Sequence, residues 1–210
     1  MTTWAVVPVK SASEAKHRLA SVLTSDERNR LMLAMLNDVV GHLGQAHGIA
    51  GVSLVSPEPA VCRPGVRWIR DPGGGLNAAV THAVRVLQGE GVTATLIIPA
   101  DIPLATPAEI DLVLAAGREA QVVLVPNRNE TGTNALLLSP PALMPPAFGR
   151  HSFARHLARA EGLGIKPLAL RLPGLGFDVD SPEDLDLLRQ RVSGRHETYG
   201  VLQSCDGGGR

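Results

Sequence analysis

Apolar residues along this chain arrive in two rhythms. Short runs such as Trp4-Ala5-Val6-Val7-Pro8-Val9, Val52-Ser53-Leu54-Val55 and Val66-Arg67-Trp68-Ile69 have the length of strands buried in a sheet. Ala94 to Pro99, Val122 to Val125, Asn134 to Leu138 and Leu168 to Leu172 follow the same pattern. Between them the apolar positions spread out. Leu31, Met35, Val39 and Leu43, flanked by Met32, Leu36 and Val40, recur at intervals of four and predict an amphipathic helix. A second stripe runs through Ala79, Ala83 and Leu87, and a further helix is predicted across Ser152 to Ala160.

Polar residues mark where the helices begin. Thr24-Ser25-Asp26-Glu27 has capping-box spacing, and Thr106-Pro107-Ala108-Glu109 supplies a cap, a first-turn proline and an acid. Ser181-Pro182-Glu183-Asp184 repeats that grammar for a helix running to about Val192. The expected organisation is one domain over 1–192, with 193–210, ending Asp206-Gly207-Gly208-Gly209-Arg210, as a flexible tail. Strands alternating with helices predict an α/β fold: a mostly parallel central sheet, helices on both faces, right-handed crossovers. Ligands on such sheets bind beyond the carboxyl ends of the strands. That rule points to the loops Lys10–Arg18, Asp71–Asn77, Asp101–Leu104 and Asp178–Asp180.

Composition narrows the partners. In 210 residues Lys+Arg and Asp+Glu both number 20, so the net charge is zero and the broad basic footprint of a nucleic-acid or membrane-surface binder is missing. An anionic ligand must be met by a local cluster. The first residues carry no basic leader, and no run approaches the roughly 20 apolar residues of a membrane helix. Cys62 and Cys205 are isolated, which gives no disulfide scaffold and no zinc spacing. A cytoplasmic protein without nucleic-acid or membrane partners is expected. His42/His47 and His151/His156 are spaced by five, which does not stack two rings on one helical face, so they read as surface or locally bonded residues.

The candidate chemistry lies in the loops. Lys10, Lys16 and Arg18 can converge on a polyphosphate, or form an ordinary solvated basic loop. No Walker A pattern is present. The glycines of Asp71-Pro72-Gly73-Gly74-Gly75 make either a tight turn or a place where a ligand approaches backbone N–H groups. Asp101, in Pro99-Ala100-Asp101-Ile102-Pro103-Leu104, and Asp178, each read at an apolar strand end, are the pair that a magnesium site completed by phosphate oxygens requires. Asp180 reads as a helix cap ahead of a metal ligand. Thr131-Gly132-Thr133-Asn134 and Gly149-Arg150-His151-Ser152 are donor-rich loops suited to turns or to a small acid.

Taken in order, several of these segments resemble one family: the guanylyltransferases of deazaflavin coenzyme F-420 biosynthesis, acting on phosphoenolpyruvate or 2-phospho-L-lactate. The matching stretches are Pro8-Val9-Lys10 with Ala15-Lys16-His17-Arg18-Leu19, Gly75-Leu76-Asn77-Ala78-Ala79 and Pro99 to Leu104. They continue with Thr131-Gly132-Thr133-Asn134-Ala135-Leu136, Phe148-Gly149 with Ser152-Phe153, and Asp178-Val179-Asp180-Ser181-Pro182. The resemblance implies a nucleotide-diphospho-sugar-transferase-like three-layer sandwich, with GTP as co-substrate and Mg²⁺ as cofactor. It implies that Lys10, Lys16 and Arg18 hold the GTP phosphates and, with Asp101, form the catalytic group. Gly75, Leu76 and Asn77 would seat the nucleoside, Asp101 and Asp178 would carry Mg²⁺, and Thr133, Gly149 and Ser152 would bind the phosphorylated three-carbon acid. A homodimer is compatible with the pattern. Glu130 departs from it, standing where glycine is expected before Thr131. Two other readings stay open: a cytidylyl- or molybdopterin-type nucleotidyltransferase on the same fold, and a nucleotide-binding module without turnover.

Overall fold

Neighbouring residues of the first strand point into different cores. In β1 (Thr3–Pro8), Ala5 and Val7 enter one apolar cluster while Val6 enters another. A strand buried this way needs helices above and below it. The structure, a computed structural model, describes residues 2–9, 17–59 and 64–206. Within them β1 is joined by β2 (Ile49–Ser56), β3 (Arg67–Arg70), β4 (Ala94–Ile97), β5 (Val122–Pro126), β6 (Thr133–Leu138) and β7 (Leu168–Ala169). The seven strands form one sheet in the order β3-β2-β1-β4-β6-β5-β7. Every neighbouring pair is parallel except those made by β6, which runs antiparallel to both β4 and β5. The mostly parallel sheet is therefore as expected. The reversal of β6 is new, because an apolar run carries no sign of its direction.

The helices cover both faces. α1 (Ser25–Gln45) and α3 (Pro107–Ala116) seal one, through Leu36, Val39 and Leu43 and through Ile110, Val113 and Leu114. α2 (Leu76–Gly89) seals the other with Val80, Ala83, Val84 and Leu87, joined by Phe153 and Ala160 of α4 (Ser152–Gly162). A third cluster gathers Leu31 and Met35 of α1 with Leu185 and Leu188 of α5 (Pro182–Arg191) and with Phe177 and Val179. The capping signals give the predicted ends. Thr24 with Glu27, Thr106 with Glu109, and Ser181 with Asp184 each form a reciprocal capping box.

Three expectations need correction. Only Leu168–Ala169 of the last expected strand joins the ladder, although the Leu170 N–H still reaches the Leu124 carbonyl at 2.8 Å. Asp178 is not on a strand: its segment lies outside the sheet. The expected tail is largely helical, with α6 over Glu197–Asp206 packed on α1. Buried Asp38 of α1 accepts the N–H groups of Glu197 at 2.7 Å and Thr198 at 3.0 Å, which caps α6 from a neighbouring helix, while Leu202 enters the third cluster. A cap lent across space leaves no local signal, so the polar, glycine-rich end masked it. Among the described residues no helix is long and apolar enough to cross a membrane.

Replacing Asp38 by Ala is expected to cost about 1–3 kcal/mol, because two first-turn N–H groups lose a charged acceptor. Denaturant unfolding measures the cost, and limited proteolysis should cut earlier within 193–206. An unchanged midpoint would mean that apolar packing alone holds α6.

Candidate active site

A cavity of about 940 Å³ opens at the edge of the sheet where β1, β4 and β5 end. Pro8 and Val9 after β1, Pro99 to Asp101 after β4, and Asn127 to Asn129 after β5 line it. Because β6 is reversed, its first residues, Thr133 and Asn134, arrive at this same edge. Of the residues singled out in the sequence, Arg18, Leu76, Asp101, Thr133, Gly149, Ser152 and Asp178 all line the cavity. Lys10 and Lys16 lie outside the described residues.

The glycine turn has a different geometry from its neighbours. Gly73, Gly74 and Gly75 have φ of 84°, 88° and 87°, a region that side chains disfavour, which is why the loop takes three glycines in a row. Gly75 is the N-cap of α2, and Asp71 accepts the Gly73 N–H at 2.8 Å. Asn77 uses its amide on the protein: Oδ1 accepts the Phe148 N–H at 2.7 Å and Nδ2 donates to the Phe148 carbonyl at 3.1 Å. That pair of bonds anchors the loop carrying Gly149 to the start of α2.

Two loops bring the aspartates together. Asp101 sits in a turn beyond β4, and its carbonyl accepts the Val179 N–H at 3.1 Å. Further in, the buried carboxylate of Glu109 accepts the N–H groups of Gly174 at 2.8 Å and Leu175 at 3.1 Å, as well as the Thr106 N–H in its capping box. A Cβ at Gly174 would collide with the Leu104 carbonyl and the Glu109 carboxylate, so the close approach requires glycine. Past this tie, Phe177 and Val179 are fully buried. Between these two buried neighbours the less buried Asp178 lines the cavity. Burial, followed by the charges of Asp101 and Asp180, raises the Asp178 pKa above the ordinary carboxylate value.

Asp180 is not the cap. Ser181 is, and Asp184 completes the box by accepting the N–H groups of Asp180 at 3.0 Å and Ser181 at 2.9 Å. The Asp180 backbone serves the helix, and the residue lines the cavity. Among the described residues no three His, Cys, Asp or Glu side chains converge as a closed metal cage. Asp101 and Asp180 add to the cost of ionising Asp178, and the carboxylates offer hard oxygen donors. Such an arrangement fits a divalent cation whose coordination is completed by ligand oxygens and water.

Hydroxyl donors line the same cavity. Buried Ser152, the first residue of α4, accepts the Thr133 N–H on its Oγ at 2.8 Å. His156, fully buried one turn later, places Nδ1 2.9 Å from Thr133 Oγ1, and its Nε2 accepts the Ala147 N–H at 2.8 Å. The histidine is locally bonded, as expected, but it is a core residue and not a surface one. Asn134 leaves its buried Nδ2 without a hydrogen-bond partner of normal geometry while still favouring the charged form of Asp178. Glu130 adopts φ of 53°, the region where glycine is favoured, and pairs with Arg171 at 2.6 Å.

Several lining residues went unnoticed in the sequence. Arg128 lies against the Phe177 ring, 4.5 Å from its centroid, and pairs with Asp184. Applying the strand-end rule to Val122–Val125 would have found it, since Asn127-Arg128-Asn129 comes directly after β5. Arg150 and His151, of the donor-rich loop already noted in the sequence, also reach the cavity. Arg18, Arg128 and Arg150 are the guanidiniums among the described residues that line the cavity.

Comparison with known proteins gives these features a setting. A family model described as "Guanylyl transferase CofC like" matches residues 3–204. A phosphoenolpyruvate guanylyltransferase from Sphaerobacter thermophilus is 44% identical over 192 residues, covering 90% of this chain and 93% of that protein. Another from Rubrobacter xylanophilus is 43% identical, covering 88% and 92%. Among solved structures, a protein from Desulfovibrio desulfuricans classed with nucleotide-diphospho-sugar transferases superposes with a TM-score of 0.82 at 18% identity, covering 99% and 96%. A Methanothermobacter nucleotidyl transferase does so with 0.68 at 18%, covering 90% and 96%. At these identities the structures bear on the fold alone, which is that of the nucleotide-diphospho-sugar transferases.

The buried imidazole gives the protein a measurable acid limit. Burial first, then the Arg159 and Arg155 guanidiniums, lower the His156 pKa to about 4. Below the ordinary imidazole value the unfolded chain takes up a proton that the folded chain refuses. Its contribution to stability is therefore complete near neutral pH and lost as pH falls toward 4. The stability difference between the native chain and His156→Gln should shrink by about 2 kcal/mol from about pH 7.5 to about pH 5, read from urea midpoints. A constant difference would mean that the ring is not held neutral.

Proposed function

The chain belongs to the CofC-like guanylyl transferase family, and on that premise we propose that it transfers the guanylyl group of GTP to phosphoenolpyruvate, as a step in coenzyme F-420 assembly. A phosphate oxygen of the acid attacks the α-phosphorus of GTP. The new P–O–P bond forms as the bond to the β-phosphate bridging oxygen breaks, and pyrophosphate leaves with that electron pair. The observation that carries this reading is the meeting, in one cavity, of Asp101 and Asp178 with the donor wall of Thr133, Gly149 and Ser152. Relatives named for this activity, 44% and 43% identical over most of their length, support the choice of substrates.

The nucleophile is already an anion near neutral pH, so the reaction needs no strong base. Its difficulty is bringing two anions together in line, and the catalyst works by neutralising charge and by alignment. Asp101 and Asp178 are the residues that would hold Mg²⁺, which when bound supplies positive charge to the triphosphate and Lewis-acid polarisation of its oxygens. Arg18 faces the phosphates from the rim, with Lys10 and Lys16 of the same basic segment as its partners. Leu76 offers an apolar surface for the nucleoside at the start of α2, with Gly75 shaping the turn and Asn77 holding it against the Phe148-Gly149 loop. Thr133, Gly149 and Ser152 take the phosphorylated acid, which leaves 2-phospho-L-lactate as the nearest substitute. The cytidylyl alternative rests on fold likeness alone, at 16% identity for a diphosphocytidyl-methylerythritol synthase.

A panel of the four nucleoside triphosphates against phosphoenolpyruvate, 2-phospho-L-lactate and 3-phosphoglycerate tests the proposal. Pyrophosphate release should be greatest with GTP and phosphoenolpyruvate, with the guanylylated acid seen by mass spectrometry. Release with CTP in place of GTP, or with none of the acids, would overturn it. Asp101→Asn should lower turnover on the order of 100-fold or more, with an unfolding midpoint close to that of the native chain. Near-normal turnover at saturating Mg²⁺ would remove Asp101 from the mechanism.

A further inference from the structure

The hydrogen bonds around His156 determine where two protons of the cavity wall must point. A backbone N–H can only donate, and that of Ala147 lies 2.8 Å from His156 Nε2, so this nitrogen presents its lone pair. The ring is fully buried and, with its pKa near 4, neutral at physiological pH. A neutral ring with a bare Nε2 carries its hydrogen on Nδ1, which faces Thr133 Oγ1 at 2.9 Å. The Thr133 oxygen is thereby an acceptor, and its own hydrogen is free to donate elsewhere. Ser152 is constrained in the same sense, because its Oγ accepts the Thr133 backbone N–H at 2.8 Å. Both residues line the cavity.

We infer that His156 is a positioning residue that, by donating to Thr133, leaves the Thr133 hydroxyl hydrogen free to donate into the cavity and so favours an oxyanion of the phosphorylated acid there. The inference rests on the proposed seating of that acid against Thr133 and Ser152. A phosphate or carboxylate oxygen can accept from both hydroxyls, whose hydrogens are committed neither to the imidazole nor to the Thr133 N–H, whereas a neutral hydroxyl that must itself donate competes for the one lone pair left on each oxygen. The same ring steadies the neighbouring loop. Ala147 is bonded to Nε2, and the Phe148 ring stands edge-on to the imidazole with centroids 5.1 Å apart, just ahead of Gly149. One buried side chain thus ties the start of β6, the first turns of α4 and the 147–149 loop into a single surface.

Two substitutions separate its functions, because a glutamine amide reaches the place of Nε2 and an asparagine amide the place of Nδ1. His156→Gln keeps an acceptor for Ala147 but loses Thr133; its KM for phosphoenolpyruvate should rise about tenfold, with the KM for GTP unchanged. His156→Asn keeps a donor to Thr133, and its KM for the acid should stay within about twofold of the native value even if its melting temperature falls. Thr133→Val should match His156→Gln, and combining the two should add little. An unchanged acid KM in His156→Gln, or equal rises for both substrates, would overturn the inference. Nitrogen-15 NMR of the histidine-labelled native chain, read without substrate, gives an answer even if the variants fail to fold. The shifts should be those of an Nδ1-protonated ring, and an Nε2-protonated ring would sink the idea. Absence of native turnover with phosphoenolpyruvate would instead count against the proposed substrates and leave the tautomer measurement standing.

Discussion

The site depends on a buried carboxylate that bonds to backbone far along the chain. Glu109 belongs to the capping box of α3, yet its oxygens also accept the N–H groups of Gly174 and Leu175. A buried charge is tolerable only when hydrogen-bonded, and these N–H groups serve it as it serves them. The bond brings the loop after β4 against the segment before α5, with Gly174 lacking the Cβ that would hold them apart. The Val179 N–H to Asp101 carbonyl bond then sets the spacing of the two aspartate-bearing strips.

Around that tie the cavity gathers two kinds of group. The acids are one, and the raised pKa of Asp178 reflects how burial and its neighbours penalise that charge. Hydroxyls are the other, with the oxygens of Thr133 and Ser152 each engaged once by the protein. In the proposed reaction two anionic reactants must meet, and on that reading the acids would hold a cation that grips the triphosphate while the hydroxyls hold the second anion near it.

The topology makes the two kinds of group meet. Parallel β1, β4 and β5 deliver their carboxyl ends to one edge, and β6, reversed between β4 and β5, delivers its amino end there. Thr133 and Asn134 are therefore the first residues of a strand and not part of a loop. A strand start is more rigid than a loop, which suits groups that must hold a direction.

Read by itself, the sequence determined what is local. Strand and helix positions followed from periodicity, and the three capping boxes from spacings of three residues, because their partners lie within one turn. The strand-end rule placed the loop of Asp101 at the edge of the sheet, whereas Asp178 reaches the same cavity from a segment outside the sheet; the order of motifs brought the family into view. Tertiary structure alone decided the direction of β6, the docking of α6 on Asp38, the engagement of Asn77 with Phe148, and the second use of Glu109. It also turned His156 from a bystander into the ring that orients Thr133. Each of these bonds joins groups distant along the chain. Periodicity and spacing encode which face of an element is buried, whereas the partner a polar group finds across space is set only when the elements pack.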